Sequence, residues 1–65
     1  NILLHILISE KGFILDRTKK GGKIIISGLL KEQVKEFKDK FIDNKLKFIS
    51  LKEKGDWAAL LIEKL

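Results

Sequence analysis

Apolar residues recur at Leu30, Val34, Phe37 and Phe41, at steps of four, three and four, which is one face of an amphipathic helix. That spacing predicts a helix over 29–43, with Glu32 at its positive end and Asp43-Asn44 closing it. Its charged side (Lys31, Lys35, Glu36, Lys38, Asp39, Lys40) is read as solvated surface. Just upstream, Ile24-Ile25-Ile26 is too short for a helix and β-branched throughout, so 23–27 reads as a strand covered on both faces. Gly21-Gly22 opens this strand and Ser27-Gly28 is expected to break it.

Leu3, Leu4, Leu7, Ile8, Ile14 and Leu15 follow a helical stripe. Gly12 interrupts it, at roughly 1 kcal/mol relative to Ala. The pattern predicts either one helix over 3–19, weak at Gly12, or two shorter helices, the second with Ser9 as its cap. Lys19 and Lys20 suit the negative end of that helix, and glycine is expected in the left-handed cap. Toward the carboxyl end, 45–54 alternates, with Leu46 and Phe48 on one side and Lys47, Ile49 and Leu51 on the other. Lys54-Gly55-Asp56 is a hairpin signal, and Trp57 to Ile62 is almost wholly apolar, hence a central strand. Trp57 is expected in the core or at the hairpin corner.

These pieces assemble into an α/β unit with the order α-α/β-α-β-β. A right-handed crossover through the 29–43 helix makes the first two strands parallel. The buried last strand then lies between them, antiparallel to both. One apolar sheet face and the edge of the Ile24 strand stay uncovered, so self-association of the isolated chain is expected.

Sixty-five residues hold one small unit that buries only about 60% of its unfolded surface. Without cysteine there is no disulfide or thiolate metal site, and one histidine cannot hold a metal alone. The first eight residues lack the basic flank and cleavage site of a signal peptide and are too few to cross a bilayer; a cytoplasmic location fits. The net charge of +5 comes from 14 basic and 9 acidic residues, and only Arg17 is arginine. Lysines dispersed in this way read as solvated surface, with at most a general attraction to anionic partners, and no direct nucleic-acid site is evident. No Ser/His/Asp set, acidic metal cluster or P-loop is present, and no residue is assigned a catalytic role. His5 reads as a helix-flank residue packing its ring, ahead of a reading as a catalytic base. Gly21-Gly22 precedes a strand, not a helix N-terminus, so it is not a phosphate cradle.

Four motifs in order are similar to the late part of the bacterial ribosomal-protein methyltransferase family PrmA: Asn1-Ile2-Leu3-Leu4, Gly21-Gly22, Ser27-Gly28-Leu29-Leu30 with Glu32-Gln33, and Gly55-Asp56-Trp57. The family usually has proline where Lys20 stands. The resemblance implies that residues 1–65 are the carboxyl-terminal segment of a class I (Rossmann-like) methyltransferase domain. It implies S-adenosylmethionine as cofactor, with its glycine-rich turn and ribose-binding acid outside this stretch. It also implies methylation of amino groups, on lysine or the N-terminus, of a ribosomal protein. One cofactor-site residue transfers with the motif, Asn1. The chain opens on Asn1 directly into an apolar run and is expected to be a piece that needs the rest of the methyltransferase chain and is inactive alone. The competing expectation is a small basic module that binds ribosome or nucleic acid. Against it stand the single Arg, the single Trp and the lack of a one-face basic stripe.

Overall fold

The computed structural model describes residues 2–65. In chain order it contains α1 (Ile2–Ser9), α2 (Lys11–Asp16), β1 (Lys23–Leu30), a 3-10 turn (Lys31–Gln33) running into α3 (Val34–Phe41), β2 (Leu46–Lys54) and β3 (Trp57–Lys64). The sheet order is β1-β3-β2, with β3 antiparallel to both neighbours. β1 and β2 are therefore parallel to one another and joined by the α3 crossover. The central, antiparallel position expected for the last strand is the one observed.

The helical stripe of α3 does what its spacing implies. Val34, Phe37 and Phe41 are buried, with the Phe37 and Phe41 rings stacked at 4.7 Å. They meet Leu4 from α1, Ile24, Ile26 and Leu29 from β1, and Ala58, Leu60 and Ile62 from β3 in a single core. Full burial of a side chain such as Phe37 contributes about 1.5–3 kcal/mol. All the helices that feed this core pack on one face of the sheet.

Several local expectations are corrected. Ser27-Gly28 does not end β1. Between Ile26 and Leu29 the strand takes one extra residue against β3, a bulge with Gly28 at φ +82, and then continues to Leu30. Helix α3 accordingly starts later than 29, and Leu29 is a fully buried strand residue opposite Ala58. A second bulge on β2, between Phe48 and Ser50, shifts the parity of that strand. Leu51 now opposes Leu60, and directly opposed residues share a face, so it stands on the helix side and not with Ile49. The amino-terminal stripe is two helices. They part at Glu10, while Gly12 lies inside α2. Ser9 caps nothing: its Oγ donates back to the Ile6 carbonyl at 3.0 Å.

The end of α2 is also built differently. It stops at Asp16, and the Lys64 ammonium from the far end of β3 donates to the carbonyls of Leu15 (2.6 Å) and Thr18 (2.8 Å). Lys19 and Lys20 do not fill that role. Gly21-Gly22 instead extends the β1–β3 ladder, with the Gly21 N–H donating to the Lys64 carbonyl and the Lys64 N–H to the Gly22 carbonyl.

The opposite sheet face is bare. Ile25, read from its sequence as covered, is 74% exposed because nothing among the described residues packs there. Trp57 is 55% exposed at the hairpin corner, so its core reading fails and its corner reading holds. The hairpin itself is a two-residue turn with positive φ at Gly55 and not at Asp56.

Candidate functional site

β1 and β2 end at Leu30 and Lys54, on the same border of the sheet as the Gly55-Asp56 turn. In open α/β sheets, ligands gather in the crevice beyond such carboxyl ends. Here that border carries a shallow depression of about 430 Å3 lined by Leu30, Lys31, Glu32 and Asp56. It is held in shape by two contacts. The Lys31 N–H donates to the Asp56 carbonyl at 2.9 Å, tying the hairpin turn to the start of the 3-10 turn. The Leu30 N–H donates to Gln33 Oε1 at 3.0 Å, the return half of a capping box. Gln33 thus has a physical reason to follow Glu32 at this point. Leu3 of α1 reaches the same border, since a Cβ on Gly28 would lie 3.0 Å from its Cδ2.

The charge on this border is mixed, one lysine against two carboxylates, all three exposed. The carboxylates with lowered pKa lie elsewhere. Lys40, bonded to Glu36 at 3.0 Å, holds that carboxyl below its usual range. Lys11 does the same for Asp43 at 2.8 Å, with help from the Lys45 N–H at 2.9 Å. Asp43 follows the end of α3, beside the start of β2 and at the other end of the sheet. Both pairs are surface contacts, Lys11–Asp43 tying α2 to the loop after α3 and Glu36–Lys40 lying within α3, not catalytic dyads. Among the described residues no three His, Cys, Asp or Glu side chains could share a metal ion. His5 lies on α1, where it is exposed and does not pack its ring as a helix-flank residue would. Arg17 lies over the Phe13 ring, 3.4 Å from its centroid, so the one guanidinium is engaged within the chain. No described helix is long and apolar enough to cross a membrane. Asn1, the residue assigned to the cofactor, lies outside the described residues.

The sequence model of the ribosomal protein L11 methyltransferase (PrmA) family matches residues 1–65. The chain belongs to the PrmA family. Among curated relatives, a ribosomal protein L11 methyltransferase of Campylobacter lari is 39% identical over 64 residues, which is 98% of this chain and 22% of that protein. A ribosomal protein L11 methyltransferase of Agathobacter rectalis is 34% identical over 65 residues, all of this chain and 20% of that protein. The chain therefore spans about a fifth of the length of the relatives it matches. No solved structure matches it. Within the family, the Ser27-Gly28-Leu29-Leu30 motif acquires a structural meaning. It is a bulge followed by a buried leucine, and it sets the border on which the depression sits. Sequence reasoning missed Lys64, whose partners lie 49 and 46 residues away, and placed Gln33 in a motif without seeing its bond to the Leu30 N–H.

Proposed function

We propose that residues 1–65 are the carboxyl-terminal flank of the catalytic domain of an S-adenosylmethionine-dependent protein methyltransferase. The parent enzyme methylates amino groups of a ribosomal protein, on lysine side chains or the N-terminus, in the cytoplasm. The observation that carries this reading is the family match along the whole chain, coupled with coverage of only about a fifth of each relative.

The described residues do not by themselves fit the cofactor. The Gly21-Gly22 turn leads into a strand and is bonded to Lys64, and the border depression is open and has no enclosed nucleoside pocket. No reaction step is therefore assigned to them. Asn1 contributes its carboxamide to the cofactor crevice, which the remainder of the parent completes.

The two outer strands support a role as a flank. β2 guards its edge with Lys47, Lys52 and Lys54 and with a bulge at mid-strand, the usual devices against further pairing. β1 carries only Lys23 beside three isoleucines before its bulge. A larger sheet would therefore continue beyond β1 and stop at β2.

Calorimetric titration tests the reading. The 65-residue chain should take up no S-adenosylmethionine, while the full-length parent binds it and transfers labelled methyl to a ribosomal protein. Tight binding by the short chain, or a full-length protein with no transfer, overturns it.

A further inference from the structure

The net charge of +5 is not spread evenly over the surface. The edge strand β2 carries Lys47, Lys52 and Lys54 against Glu53. On its helix side runs a groove of about 400 Å3, where Lys31, Lys35 and Lys38 meet Asp39, Glu53 and the exposed Leu51. Strand and groove together hold six lysines and two carboxylates, an excess of four positive charges. The eight basic and seven acidic residues left from the totals of 14 and 9 nearly cancel. Along the sequence these lysines are dispersed over 31–54, and the α3 crossover brings them to one border.

Most of these ammonium groups are available. Lys31, Lys35, Lys52 and Lys54 form no ion pair or side-chain hydrogen bond among the described residues. Lys38 lies over the Phe48 ring, 4.2 Å from its centroid. Lys47 stands opposite Glu63, which Lys23 engages at 3.4 Å. Lys31, Lys35 and Lys38 follow at four and three residues, so they share one helix side and span roughly 10 Å at ~1.5 Å per residue. Lys52 and Lys54 leave β2 on the other sheet face, opposite Ala59 and Trp57. Positive charge therefore flanks the outer edge of β2 on both sides.

We propose that this border is a docking surface for the phosphate backbone of an RNA strand. This rests on the reading that the parent acts on a ribosomal protein, which makes RNA the polyanion beside its substrate. Lysine meets phosphate as a point charge, and contacts of that kind position a protein on nucleic acid without reading its sequence. No aromatic side chain lines the groove, so nothing there stacks on a base and the contacts go to the backbone. An acidic protein segment fits less well. It would seek the main-chain groups of β2 as an added strand, and the bulge between Phe48 and Ser50 interrupts that ladder at mid-strand. Backbone phosphates need no such register.

Fluorescence anisotropy of labelled polyuridylate, titrated with the full-length protein, tests this. Binding in the micromolar range is expected, with log affinity falling against log salt at a slope of about −3, since each of four phosphates contributes about 0.7. Lys35→Gln combined with Lys52→Gln removes one exposed charge from each side of β2. It should make that slope shallower by about 1.4 and the binding roughly ten-fold weaker at about 0.1 M salt. Lys19→Gln combined with Lys20→Gln removes the same charge beyond the end of α2 and should change the affinity less than about two-fold. Equal losses in the two double variants would reduce the effect to net charge and overturn the proposal. So would an absence of binding, or labelled polyglutamate binding more tightly than polyuridylate, which would assign the border to an acidic protein segment. Methyl transfer to a ribosomal protein is measured on the same preparation. Transfer without RNA binding sinks the docking surface and leaves the enzyme reading standing, and RNA binding through Lys35 and Lys52 without transfer does the reverse.

Discussion

Replacing Lys64 with Met isolates the most consequential contact that links the two ends of the chain. The ammonium donates to two carbonyls, Leu15 at 2.6 Å and Thr18 at 2.8 Å, at the carboxyl end of α2. Hydrogen bonds from a charged donor contribute about 1.5–3 kcal/mol each when deeply placed. Here the side chain is only half-buried, so water replaces part of the loss at both carbonyls. Met keeps the apolar stem of the side chain. A total near 2 kcal/mol follows, including the favourable position of a cation at a helix end, worth about 0.3–1 kcal/mol.

Against a domain stability of roughly 3–10 kcal/mol for a chain of this size, that is a large fraction. Each kcal/mol shifts the melting midpoint by about 4–8 °C in domains this small. Thermal melting followed by circular dichroism should therefore show Lys64→Met melting roughly 8–16 °C below the parent sequence. Lys20→Met is the matched control, because Lys20 is the residue that local pattern reading places at the helix end. Its side chain is exposed and has no hydrogen bond or ion pair among the described residues, and its effect should stay within about 0.5 kcal/mol. A Lys64→Met shift no larger than that of Lys20→Met would refute the assignment of the cap to the last strand.

Gly28→Ala forces a Cβ onto a backbone at φ +82 and to within 3.0 Å of Leu3 Cδ2, so it should cost at least ~1–2 kcal/mol, read as a lower midpoint in urea. Phe37→Ala empties the fully buried centre of the core and breaks the stack on Phe41; a loss of about 3–5 kcal/mol, enough to leave the isolated chain largely unfolded by near-ultraviolet dichroism, is expected. The Lys11–Asp43 and Lys40–Glu36 pairs lower the carboxyl pKa values in the folded state, so their contribution is present above the ordinary carboxylate range. It should fade as pH falls through and below that range, and Asp43→Asn should flatten this part of a pH–stability curve measured at low salt. Ile25→Glu should be nearly silent in the 65-residue chain, where the side chain is 74% exposed, yet lower the melting midpoint of the full-length protein by several degrees. Equal effects in both would mean that the face stays open.

Much of the fold was legible because its strongest signals are periodic. The four-three-four stripe from Leu30 to Phe41 located α3, and the apolar run after Gly55-Asp56 located a central strand that a crossover topology could place only between the other two. What escaped was set by single extra residues and by distant partners. A bulge is one residue of surplus length in one strand, and nothing in Ser27-Gly28 or Ile49 separates a bulge from a strand end until the partner strand is in place. The same surplus turned Leu51 to the opposite face. The cap on α2 was assigned to the nearest lysines because local pattern reading sees only neighbours, whereas the three-dimensional neighbour is Lys64.

The functional border was legible to a different degree. Its motif residues could be picked out, but their work here is structural: Gly28 permits the bulge, Leu29 fills the core, and Gln33 fixes the turn that carries Lys31 and Glu32. None of these touches a reacting atom in the chain as described. The one residue the motif assigns to the cofactor stands at the first position. That division follows from topology. A strand pair and its crossover helix shape one border of a sheet, and the described residues there form only an open depression. The same logic explains why Ile25 is exposed in a triplet of isoleucines. Ile24 and Ile26 face the helices and are buried, while Ile25 faces the side on which no described residue packs.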